Sequence, residues 1–217
     1  MTDQSQSVAT RPQWSKVAVF RALREAMRDP ERLGDVAVYK SELSGARARP
    51  ALETELRAMA DPLPSIAPEP LLSLPTETLG HQYADFLRRN ALRPFQISDD
   101  MDPALLQRNL FIVRYSLLHD VFHVLTGFDT SWAGEAGVWG FVVGQRYRWS
   151  LWLTVVAVCV VYPVLAPRQT LRIWRNAARG VAMGRKAATL ITAPLETQWE
   201  RPVAALRAEH NIDVAAP

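Results

Sequence analysis

The chain has 217 residues, 48% of them hydrophobic and 22% charged, with a formal net charge of +3. That length favours one domain with a sizeable core, and the composition excludes a chain disordered throughout. The basic bias is too weak for the dense footprint of a nucleic-acid binder, and the one cysteine, Cys159, excludes an internal disulfide.

In chain order, residues 1–12 are polar, carry no secretory signal and read as a disordered tail. Val17, Phe20, Leu23 and Met27 recur at three- and four-residue steps, which predicts an amphipathic helix from Trp14 to Arg28, stopped at Asp29-Pro30. Residues 31–60 read as two short helices broken near Ser44-Gly45 and Pro50. Five prolines between 61 and 76 make an extended wrapping loop. A helix follows from about Pro75 to Asn90. Asp102 then Pro103 is a start signal, a cap followed by proline at the first helical position, for a helix ending near Leu125 at Gly127. Another helix begins near Gly134. The apolar run Trp149 to Ala166 comes next, then helices over about 167–192 and 195–209. The expected fold is all-α: a compact bundle of about seven or eight helices spanning 13–212, with a short tail at 213–217.

The chemistry concentrates in one segment. His119 and His123 are four apart, so on a helix both imidazoles leave one face and form a chelating pair for zinc or a similar divalent metal. Asp120 lies about 100° round the helix from His119, which leaves it as an edge ligand, a partner orienting a histidine, or a general base. Glu135 follows His123 after 11 intervening residues, room for the helix to turn at Gly127 and start an antiparallel neighbour. The apolar neighbours Leu117, Leu118, Val121, Phe122, Val124 and Leu125 argue that these four ionisable groups share a partner, since unpaired buried charge is expensive. The pattern resembles the His-Glu-x-x-His of metalloproteases, but the shorter Asp120 in place of glutamate argues against peptidase chemistry.

With His119-Asp120-Val121-Phe122-His123, an 11-residue gap and Glu135, the sequence resembles the coenzyme Q biosynthesis protein four family. The segments LPTETLGHQYADFLRRN, Leu74 to Asn90, and APLETQWERPVAALRAEHNI, Ala193 to Ile212, are similar to that family's flanking signatures, as is Arg114-Tyr115 before the motif. The resemblance implies a membrane-associated helical protein of ubiquinone biosynthesis. It implies a divalent metal (zinc first; cobalt, iron or manganese also suit the donors) held by His119, Asp120, His123 and Glu135. It implies metal-dependent, carboxy-lyase-like removal of the ring carboxylate of a polyprenylated hydroxybenzoate, with hydroxylation at that carbon, and a role in organising the biosynthetic enzymes. The implied partners are that quinone precursor, the membrane surface, the other pathway enzymes and a second copy of the chain. The implied location is the cytoplasmic side of a bacterial inner membrane, peripherally bound. Ser116, Leu117, Leu118, Trp139 and Val142 stand where the family usually carries charged residues.

Trp149 to Ala166 is 18 residues without a charge, the lower limit for a membrane span. Pro163 and the polar Ser150 and Thr154 favour instead a buried helix lining an apolar, lipid-binding tunnel, or one dipping into a membrane surface. Arg168, Arg172, Arg175 and Arg179 form a basic stripe at helical spacing. With Arg114 they are candidates for binding a lipid headgroup or a substrate carboxylate. Gly180 and Gly184 predict close helix packing. The competing reading is a non-catalytic polyisoprenoid-binding scaffold whose metal pins two helices.

Overall fold

A computed structural model describes residues 14–214, so the tail expected at 1–12 and residues 215–217 of the one expected at 213–217 lie outside the described residues. Val214 still packs against the core. Ten α-helices form the described part: α1 (Lys16–Ala26), α2 (Leu33–Ser44), α3 (Pro50–Ala58), α4 (Leu79–Arg89), α5 (Pro103–Arg108), α6 (Leu110–Thr126), α7 (Trp132–Gly144), α8 (Leu151–Leu165), α9 (Thr170–Lys186) and α10 (Val203–Glu209). Among the described residues there is no strand, only an isolated bridge between Thr78 and Pro202.

The all-α expectation holds, with more and shorter helices than the periodicity suggested. The helix expected from Pro103 to Leu125 divides at Asn109, whose side-chain amide turns back to the Leu105 carbonyl and across to Glu42. The last helix loses its first half because Pro202 has no N–H to give a helical ladder, and α10 starts only after it. Other boundaries fall where local chemistry puts them. Asp102 caps α5 through the Ala104 N–H, Ser131 caps α7 through the Gly134 N–H, and Gly45 and Gly127 close α2 and α6 at φ 63° and 74°.

Helix α6 is the axis. Thirteen of its 17 residues are buried, the mark of a helix enclosed on all sides, and α2, α3, α4, α5, α7 and α10 all touch it. The two family-like segments meet each other. Leu79 and Gly80 donate backbone hydrogen bonds to the Arg201 and Trp199 carbonyls, and the Tyr83 and Trp199 rings stack at 5.4 Å.

The closest helix pair is α7 against α9. A methyl group on Gly140 would stand 2.2 Å from the Ala177 carbonyl oxygen, one on Gly180 2.0 Å from that of Gly137, and one on Gly184 2.1 Å from that of Phe141. Gly180 and Gly184 therefore pack as expected, into a matching glycine row on α7 that the sequence reading had not paired with them.

For helix α8 the structure overturns one of the two expected placements. It is not a buried helix lining a tunnel: only Val155 and Val158 are buried, while Leu153, Val156, Val160 and Val164 lie 59–77% exposed. The helix is apolar on every side, so α7 and α9 can cover only one of its faces. Among the described residues no helix is long and apolar enough to cross a membrane.

Candidate metal centre

Three of the four expected residues converge. The His119 Nε2 lies 3.5 Å from one Glu135 carboxylate oxygen, and the His123 Nε2 lies 3.3 Å from the other. The two imidazoles are 4.8 Å apart, edge to face. One donor atom from each residue falls within 4.8 Å of the others. Donors about 2.0–2.2 Å from a tetrahedral ion lie about 3.4 Å apart, so the two histidine–Glu135 separations suit one divalent ion.

Local structure explains the convergence. His119 and His123 occupy the last two turns of α6. Gly127 ends that helix in the left-handed conformation, and Ser131 starts α7 four residues later. Glu135, in the first turn of α7, faces back across the turn. The connection also fixes the histidine chemistry. The His123 Nδ1 lies 2.9 Å from the Phe128 carbonyl oxygen. A carbonyl can only accept, so Nδ1 carries the proton and Nε2 is left with its lone pair. That Nε2 is buried and has no hydrogen bond, an orphan that a metal ion would satisfy. Phe86 stacks on the same ring at 5.3 Å and fixes its plane.

Asp120 does not enter the cluster. Its carboxylate accepts from the His119 Nδ1–H at 3.2 Å, which turns the His119 Nε2 toward Glu135. Of the three roles open to it, the geometry is that of an orienting partner.

The charges are mutually adjusted. Burial alone would lower His119, but its hydrogen bonds to Asp120 and Glu135 outweigh that and raise it to about 9. Burial alone would raise the Glu135 carboxyl, but His119 and His123 beside it hold it down at about 2. A metal displacing the His119 proton would therefore meet one carboxylate and two imidazoles. His119 and Glu135 keep 26% and 27% of their side chains exposed, against 1% for His123. The cluster therefore reaches solvent at His119 and Glu135, the side from which a fourth, exchangeable ligand would approach.

The arginines separate into two groups. Arg114 is a correction: it is fully buried, with its guanidinium bonded to the carbonyls of Ile191, Pro62 and Ala193 and to Glu196 at 2.8 Å. It fastens the proline-rich loop and the C-terminal segment to α6, and with its side chain fully enclosed it cannot reach a headgroup. Arg172, Arg175 and Arg179 line a cleft of about 430 Å³ with Phe128 and Asp129. Arg168, exposed on the turn before α9, is not among its lining residues. A neighbouring cleft of about 420 Å³ runs from Phe128 past His123 to Arg89 and Arg207.

Sequence reasoning missed Phe128, which acts through its backbone and leaves no side-chain signal. It also missed Arg207, which donates to the Val124 and Leu125 carbonyls at the end of α6.

A sequence model of the family described as "Coenzyme Q (ubiquinone) biosynthesis protein Coq4" matches residues 6–216. The chain belongs to this family. A curated relative, "Ubiquinone biosynthesis protein COQ4 homolog 1, mitochondrial" of Culex quinquefasciatus, is 25% identical over 87% of this chain and 71% of its own length. The rat homologue, also mitochondrial by name, is 30% identical over 65% of this chain and 53% of its own. A crystal structure of a Nostoc punctiforme protein assigned to ubiquinone biosynthesis superposes with a TM-score of 0.57, covering 91% of this chain and 82% of that one. At 20% identity that likeness shows a common fold. Membership of the Coq4 family places this chain in ubiquinone biosynthesis.

Proposed function

We propose that this Coq4 family member binds one divalent metal, zinc by preference, through the His119 and His123 Nε2 atoms and Glu135, and that it removes the ring carboxylate of a polyprenylated hydroxybenzoate. The observation that carries the reading is the orphaned, buried His123 Nε2, aimed with a fixed tautomer at the point where His119 and Glu135 converge. A metal bound there supplies Lewis acidity next to the departing carboxylate. The protein's own groups do the rest. Asp120 and the Phe128 carbonyl hold the two imidazoles in register, Glu135 supplies the anionic donor, and the open side admits the ring. Decarboxylation breaks the ring–carboxylate bond, carbon dioxide leaves, and the electron pair stays on the ring carbon. A proton takes up that pair; in the oxidative variant dioxygen takes the two electrons and leaves as hydrogen peroxide, while a hydroxyl from water replaces the carboxylate. Solvent at the open side can supply that proton, while Asp120 stays engaged with the His119 Nδ1–H as its orienting partner.

Peripheral attachment to the cytoplasmic face of a bacterial inner membrane fits the outward apolar face of α8. Between Ala136 and Leu195 the chain has eight basic residues and no acidic one. Anionic headgroups would meet positive charge around that face, and an isoprenoid tail would be delivered where it is soluble. The same face favours a second reading, a non-catalytic organiser of the pathway's enzymes, or of two copies of the chain, with a structural metal.

Metal-loaded protein given a polyprenyl-hydroxybenzoate labelled at the carboxyl carbon separates the two. The enzyme releases labelled carbon dioxide and His123→Ala does not. Wild-type protein that carries its metal and binds the lipid but releases nothing above background excludes the enzymatic reading.

A further inference from the structure

Three buried side-chain atoms among the described residues lack a hydrogen-bond partner: the His123 Nε2, the His210 Nε2 and the Tyr115 hydroxyl. Tyr115 stands four residues before His119 and eight before His123, so on α6 the three share one face. Its ring meets His119 edge-on at 5.8 Å and tilts against Trp139 at 5.9 Å. It therefore borders the His119 side of the cluster, the side left open. An unpaired buried hydroxyl destabilises a fold, so such a group points to a water, ion or ligand that completes it. Burial, and then the neighbouring Glu135 carboxylate, push the Tyr115 phenol well above the ordinary tyrosine range. Near neutral pH it is a donor.

We propose that the Tyr115 hydroxyl is a substrate-binding donor, hydrogen-bonded to the ring carboxylate of the substrate as that group enters the open side of the cluster. The inference rests on the reading of His119, His123 and Glu135 as the site of ring chemistry. It adds the group that reads the carboxylate independently of the metal. A bond from a neutral hydroxyl to an anionic oxygen is charge-assisted, so losing it weakens an acid far more than an uncharged analogue.

The test compares wild type with Tyr115→Phe, in zinc-loaded and in metal-free protein, using two probes: a geranyl-hydroxybenzoate and the geranylphenol that lacks the carboxylate. Binding is read by tryptophan fluorescence, with Trp139 beside the site. Tyr115→Phe should bind the acid at least tenfold more weakly and the phenol equally well, with unchanged zinc content and a Tm equal to or above wild type. Equal affinity for the acid, an equal loss for both probes, no binding of the acid by wild type, or a Tm several degrees lower overturns the proposal. The decarboxylation reading is judged separately by carbon dioxide release, so the two can fail independently.

Discussion

His119 and His123 are useful as ligands because each has its other ring nitrogen occupied. Asp120 and the Phe128 carbonyl take the two Nδ1 protons, so neither imidazole has to choose a tautomer when a metal arrives. Asp120→Ala should therefore weaken metal affinity about 10–100-fold without abolishing it, as measured by competition with a chromophoric chelator. Loss as complete as in His123→Ala would instead make Asp120 a ligand. The charge balance carries a pH signature. His119 stands at about 9 in the metal-free fold, above its ordinary 6.5. Its protonated form stabilises the fold fully below about 6.5, and that contribution disappears as pH rises through about 9. Glu135, held at about 2 against an ordinary 4.5, contributes above about 4.5 and loses its contribution only as pH falls through about 2. The Tm of metal-free protein should decline between pH 6.5 and 9, and His119→Gln should flatten that decline. Metal affinity should rise over the same interval, because the ion displaces the His119 proton. A metal-free Tm that climbs across this range contradicts the assignment.

At the scale of elements, the centre depends on two helix contacts. One is the turn joining α6 to α7, and the other is the glycine row that fixes α7 on α9. A side chain at position 180 meets the carbonyl of Gly137, two residues after Glu135. Gly180→Ala should cost about 1–3 kcal/mol through overpacking and lower metal affinity by shifting α7, both readable by thermal melts with and without zinc. Full stability would mean that the helices are not in backbone contact. Much of this level was legible in the sequence. The His119–His123 spacing, the Gly127 stop and the 11-residue gap to Glu135 anticipate the α6–α7 corner, because each is local. Arg114 was misread because charge pattern alone cannot tell an exposed guanidinium from one whose donors meet carbonyls about 80 residues away. The choice between an inward and an outward α8 was likewise open. A uniformly apolar helix has no polar face to indicate which side meets the core.

For the whole molecule, a helix as apolar as α8 left uncovered is a liability in water, and the basic residues around it suggest an anionic bilayer as its cover. Co-sedimentation with vesicles of mixed zwitterionic and anionic lipid should show binding that falls at least tenfold in Val156→Asp/Val160→Asp protein and weakens with salt. Binding unaffected by either change would move the membrane contact elsewhere. Beneath that face, α6 and α7 bring the Coq4 motif to one point, and the claim that this point holds a metal is the centre of the account. Elemental analysis of purified wild-type and His123→Ala protein, each equilibrated with zinc and desalted, tests it directly. The account predicts one zinc per wild-type chain and none in the variant; a wild type that retains no metal, or a variant that retains as much, contradicts it.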